Sequence, residues 1–158
     1  DGARTLMKHL GDKPMSKHLI ILAAILLVPV LVAQVSEDGF VLFTPDELEW
    51  TLRENGTSLV LLEGDPQSEG FYIQRLKFPP GSVRTPHYQD RDRYVTVISG
   101  TWYAGIGENV DRENAEALGP GSYMKHPANG VHYDGAKDEE VVVEIKGMGP
   151  VRTIFLEN

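Results

Sequence analysis

Three histidines beyond residue 33, His87, His126 and His132, are the side chains best suited to chemistry. They fall in two blocks, Gly81-Ser-Val-Arg-Thr-Pro-His87-Tyr-Gln89-Asp-Arg-Asp-Arg93 and Pro120-Gly-Ser-Tyr-Met-Lys-His126-Pro-Ala-Asn-Gly-Val-His132-Tyr133. Neutral imidazole binds divalent metals, and Fe(II), Mn(II), Zn(II) and Ni(II) all suit imidazole-rich sites. Imidazole also serves as a general base, or simply as a hydrogen-bonded pocket residue. All three uses are open at this point. In a strand, residues i and i+2 share a face, so His87 and Gln89 point the same way. Arg93 offers a planar charged fork that suits a carboxylate or other anionic ligand, or an ion pair with Asp92 or Glu144. Asp90 and Asp92 are further oxygen donors, one of them expected to pair with Arg91 or Arg93. Cysteine is absent, which excludes disulfides, thiolate metal sites and a cysteine nucleophile. No phosphate loop, dinucleotide fingerprint, His-Glu-x-x-His or nucleophile elbow is present.

The elements that must position these residues read as strands. Beyond residue 40 there is no helical period of useful length. Phe40 to Phe43 is a short apolar run, and Thr44-Pro45-Asp46-Glu47 can cap one helical turn. Asn55-Gly56 signals a turn before a strand over Ser58 to Leu62. From Phe71 to Phe78 the chain alternates, with Tyr72, Gln74, Leu76 and Phe78 on one face. Tyr94 to Ile98, Ser99-Gly100 and Thr101 to Ala104 make a hairpin. Glu108 to Ala117 is polar and predicts a surface loop with a helical turn. Ser122 to His126, Val131 to Tyr133, Val141 to Ile145 and Val151 to Phe155 complete the set. Short strands at this regular spacing predict an all-β sandwich or barrel.

The N-terminal part differs. Met15-Ser16-Lys17-His18 leads into an uncharged apolar run from Leu19 to Ala33, about 15 residues against the ~20 that cross a bilayer. That pattern predicts a signal peptide over 15–33, with an uncleaved membrane anchor as the alternative, and a secreted or periplasmic protein. Residues 1–14 read as an upstream extension outside the fold. The run is apolar on all faces, which disfavours a core helix. The whole chain carries a net charge of −8, and residues 1–33 carry four basic and two acidic groups, so the remainder sums to −10. An acidic body repels phosphate backbones and disfavours nucleic acid as a partner. Any membrane contact is expected through the N-terminal segment alone. Asn55-Gly56-Thr57 matches a glycosylation sequon, read as accidental beside a bacterial-type leader.

Over roughly residues 58–155 the two histidine blocks resemble the two motifs of the cupin superfamily. In the first motif, Gly81, His87 and Gly100 fall on the pattern, Gln89 stands where a second histidine would be, and Arg93 stands in place of a glutamate. In the second, Gly121, Pro127 and His132 fall on it, while Asn129 replaces a glycine and Ala136 an asparagine. Asp92-Arg93 is similar to a His-x-His-x-x-Asp-Arg variant of small exported single-domain cupins. The resemblance implies a double-stranded β-helix, or jelly-roll barrel, over residues 40–158. It implies a divalent metal (Fe, Mn, Zn or Ni) held by His87, Gln89 and His132, with Arg93, His126 and Tyr133 in the ligand pocket. It also implies a small-molecule ligand and a homodimer formed by sheet extension.

The reading this favours is a small-molecule-binding cupin with metal-dependent, oxygenase-like oxidoreductase activity. Two alternatives stand beside it. One is a metal-free ligand-binding or sensor cupin, for which Gln89 and Arg93 argue. The other is an isomerase or epimerase using His87 or His132 as a general base.

Overall fold

The computed structural model describes residues 38–156 and the backbone of 34–35. The upstream extension 1–14 and the expected signal segment 15–33 lie outside the described residues. Among the described residues no helix is long and apolar enough to cross a membrane.

Among the described residues thirteen strands form: β1 (Gln34–Val35), β2 (Val41–Leu42), β3 (Thr51–Leu52), β4 (Ser58–Glu63), β5 (Gly70–Phe78), β6 (Val83–Gln89), β7 (Arg93–Ser99), β8 (Trp102–Ile106), β9 (Glu116–Leu118), β10 (Tyr123–His126), β11 (His132–Ala136), β12 (Val141–Gly149) and β13 (Thr153–Phe155). A 3-10 turn, Pro45–Glu47, follows β2. There the Glu47 carboxylate accepts both the Thr44 amide (2.7 Å) and the Thr44 hydroxyl (2.8 Å), as the capping pattern predicts.

Two antiparallel sheets carry the fold, one ordered β10-β7-β12-β5-β4-β3 and the other β13-β6-β11-β8-β9. β1 and β2 pair separately. The core lies between the two sheets. Tyr72, Leu76, Phe78, Val95, Val97, Val141, Val143 and Ile145 come from the first sheet, and Trp102, Ala104 and Ala136 from the second. The alternation of β5 decides its facing: Tyr72, Gln74, Leu76 and Phe78, which share one face, are buried. On the opposite face Arg75 and Lys146 both pair with Glu144, at 3.0 and 2.9 Å. Burying the apolar inner faces is what holds the sheets together.

The polar segment 108–117 differs from expectation. No helical turn forms there; instead Asp111 Oδ1 accepts the amides of Glu113 and Asn114, an Asx turn that competes with helix. Its last residues become β9, paired with β8.

Turn glycines fix the ends of the strands that carry the histidines. Gly81 and Gly121, with φ of 77° and 85°, adopt the left-handed conformation that side chains resist. Asn129 also sits there, at φ 63°, and asparagine is among the few other residues that tolerate it. Its amide donates to Gln89 O at 2.7 Å, tying the loop before β11 to the end of β6. Replacing Asn129 with valine is therefore expected to cost about 1–3 kcal/mol in urea unfolding, while Asn129→Gly stays within about 1 kcal/mol of the parent.

Candidate metal centre

His87 of β6 and His132 of β11 are direct cross-strand partners. Their rings lie 4.3 Å apart. His87 Nδ1 sits 2.7 Å from Thr85 O, and His132 Nδ1 sits 2.9 Å from Gly130 O. A carbonyl only accepts, so Nδ1 carries the proton in both rings and each Nε2 keeps a lone pair. Both Nε2 atoms are buried without a partner. Asp134 follows His132 by two residues and shares its inward face. Its Oδ2 lies 3.9 Å from His87 Nε2, while Oδ1 is buried and unpartnered. Ligand atoms of His87, His132 and Asp134 all lie within 4.8 Å of one another.

His126 takes a different part. Its ring stacks 3.7 Å from that of His132. Its Nδ1 is 3.3 Å from Nη2 of Arg93. A guanidinium only donates, so His126 Nδ1 accepts and the proton sits on Nε2. That tautomer leaves no lone pair for a metal and holds His126 as a wall of the site.

Electrostatics keep the cluster neutral. Burial lowers His87 to about 3, His126 to about 2 and His132 to about 4, and the charges of Arg84 and Arg93 act in the same direction. Neutral imidazole is the metal-binding form. Burial pushes the Asp134 carboxyl up, opposed by Arg84 and Arg93. Arg93 is only 4% exposed, and burial lowers it to about 10, so it is charged at neutral pH.

Gln89 is buried beside His87 at the end of β6. Its Nε2 donates to Thr153 Oγ1 at 3.4 Å, and its Oε1 has no partner. Arg93 points inward, and among the described residues no carboxylate lies within ion-pair distance of it. The pairings expected from sequence differ here. Glu144 is held by Arg75 and Lys146, Asp92 by Lys125 at 2.7 Å, and Asp90 by Arg152 at 2.8 Å. Arg91 donates to Pro150 O instead. Tyr133 lies apart from the histidines: its hydroxyl donates to Asp111 O at 3.0 Å and its ring lies over Gly105, whose missing Cβ makes the room. As the neighbour of His132 in a strand, it takes the opposite face.

A cavity of about 510 Å³ adjoins the cluster. Arg84, Arg93, Gln74, Thr153 and Phe155 are among its walls. Arg93 and Thr153 connect it to His126 and Gln89, and the Phe155 ring lies 5.1 Å from that of His87.

Sequence reasoning missed Asp134 and Arg84. The His-x-Asp spacing of 132–134 carried the signal for Asp134. Arg84 is hidden by an irregularity: His132 pairs with His87 and Asp134 with Arg84, so two steps on β11 match three on β6. The extra residue turns Arg84 to the histidine side, against simple alternation.

No family model and no curated sequence matches this chain. Solved structures do match. A cupin-like protein from Thermotoga maritima aligns at 21% identity and TM-score 0.52, over 63% of this chain and 76% of that one. A cupin-2 domain from Rhodospirillum rubrum aligns at 12% identity and TM-score 0.59, over 75% and 81%. The fold is that of the cupins. The polyketide cyclase RemF from Streptomyces resistomycificus aligns at 16% identity and TM-score 0.60, over 75% of this chain and 88% of that one. A sugar phosphate isomerase from Silicibacter pomeroyi aligns at 16% and 0.56, over 74% and 82%.

Proposed function

We propose that this protein is a metal-dependent cupin enzyme acting on a small molecule, with His87, His132 and Asp134 holding a divalent cation. The observation that carries this is the pair of buried, unpartnered Nε2 lone pairs gathered within 4.8 Å of the Asp134 carboxylate, whose Oδ1 is itself buried and unpartnered. Buried polar atoms are rarely left without partners, and a cation supplies one to all three at once. Two histidines and a carboxylate are the donor set of non-haem Fe(II) oxygenases, which supports the oxygenase-like oxidoreductase reading over other metal uses. Gln89 Oε1 is a neutral fourth donor. When bound, such a cation would act as a Lewis acid or as an oxygen-binding centre. The chain's own residues do the rest. The Thr85 and Gly130 carbonyls fix both ring tautomers, Arg93 holds His126 against His132, and the cavity admits substrate.

Fold alone does not choose the reaction, since cyclase, isomerase and lyase activities belong to proteins with this same fold. One observation favours a second reading. The His87 Nε2 lone pair is buried and unpartnered while Nδ1–H is fixed by the Thr85 carbonyl, the state a metal-free general base of an isomerase or epimerase requires. The reading also carries the N-terminal segment as a leader to a secreted or periplasmic location, and a homodimer.

Metal content separates the readings. The full chain, purified without chelator and without a metal-binding tag, is expected to hold about one Fe, Mn, Zn or Ni per chain by elemental analysis. Asp134→Asn is expected to lower retention by about tenfold or more. A chain that holds no metal and takes up none when it is added would sink the metalloenzyme reading.

A further inference from the structure

The cavity beside the cluster is lined by two unlike sets of side chains. One set is cationic. Arg93 is nine-tenths buried, and its Nε has no partner; the Nε of Arg84, on β6, is likewise buried and unpartnered. Both side chains line the cavity, as does the buried amide of Gln74. The other set is apolar: Leu59, Leu61, Leu76 and Val151. Of the remaining charged wall residues, Arg152 is already paired with Asp90 and is largely in solvent, and Arg53 is exposed. Asp65 also lines the cavity, with its oxygens taken by the Gln67 amide and the Ser68 hydroxyl.

Two guanidiniums facing one carboxylate, Asp134, leave surplus positive charge in a protein whose net charge is −8. A divalent cation at the cluster would enlarge that surplus. Burying an unpaired cation is costly, so the structure calls for an anion. Guanidinium forks match a carboxylate in bidentate fashion. The apolar part of the lining calls for a hydrocarbon body attached to that carboxylate.

We infer that the cavity binds a small amphipathic organic carboxylate, its carboxylate on Arg84 and Arg93 and its apolar part against Leu59, Leu61 and Val151. This deepens the proposed enzyme by naming its substrate class, and it rests on the same site. The volume of about 510 Å³ lies within the range of small-molecule sites.

The test is calorimetric titration of the full chain with hexanoate, hexanamide and inorganic phosphate, in chelator-treated and metal-loaded forms. Hexanoate is expected to bind the chelator-treated chain, and hexanamide is not. Arg84→Gln, at a half-exposed position that tolerates the change, is expected to weaken hexanoate by about tenfold or more. Hexanamide binding as tightly as hexanoate, or an Arg84→Gln chain with unchanged affinity, would overturn the inference. So would phosphate binding more tightly than hexanoate, which would mark a phosphate site. Its failure is distinguishable from failure of the metal reading. A chain that takes up no metal yet binds hexanoate through Arg84 keeps the carboxylate site, and a metal-loaded chain that ignores hexanoate loses it.

Discussion

His132→Ala is expected to reduce divalent-metal affinity by about a hundredfold or more, so that a chain purified without chelator retains none by elemental analysis. The magnitude follows from position. Removing a group that only orients a metal ligand already costs about 10–100-fold, and His132 would be a ligand itself. It is also the centre of the cluster, 4.3 Å from the His87 ring and 3.7 Å from that of His126, and it precedes Asp134 on the same strand face. His126→Gln makes the contrast. Its Nδ1 is occupied by Arg93, so the substitution is expected to leave metal content within about twofold of the parent. The alanine at 132 removes a buried ring, so His132→Gln provides a variant of similar size; it is expected to lose metal while remaining folded by circular dichroism. Equal metal loss in His126→Gln and His132→Gln would show that the lone-pair assignment is wrong.

The parts of this site that were legible in the sequence are those fixed by local chemistry. The alternation from Phe71 to Phe78 separated the two faces of β5, because a strand buried on one side must repeat with period two, and the structure buries the Tyr72, Gln74, Leu76 and Phe78 face. The placement of Gly81, Gly100 and Gly121 before or between strands marked turns with positive φ. Asn129, which departs from the cupin motif's glycine, adopts a left-handed backbone that asparagine tolerates. What stayed hidden depends on long-range register. Arg84 faces inward only because β6 carries an extra residue opposite β11, and no local pattern announces that. The partners of Asp90 and Asp92 lie 62 and 33 residues away, on Arg152 and Lys125, and displaced the nearer arginines. Tyr133 was grouped with the ligand pocket by its place beside His132, yet neighbouring residues of a strand take opposite faces.

Acid is expected to unfold the metal-stripped chain well above the pH at which carboxylates alone would titrate. In the folded state burial lowers His87, His126 and His132 to about 3, 2 and 4. In the unfolded chain each imidazole titrates near 6.5. Above that pH all are neutral in both states and their contribution is fully present. As pH falls below 6.5 the unfolded chain takes up protons that the folded chain refuses, so stability declines until the folded values are reached. Each imidazole contributes at most about 1.4 kcal/mol per pH unit in that window. Asp134 acts in the opposite sense. Its folded pKa is raised, so the folded chain binds a proton that the unfolded chain releases above about 3.8, and this partly offsets the histidines. Three groups against one leave a net loss on acidification. Urea unfolding of the chelator-treated full chain at pH 7.5, 6.5, 5.5 and 4.5 is expected to show a flat midpoint between the first two and a steep fall across the last two. His126→Gln removes the most strongly shifted of the three, and its slope is expected to be shallower. A midpoint that holds constant down to pH 4.5 would mean that the imidazoles are not held neutral by burial.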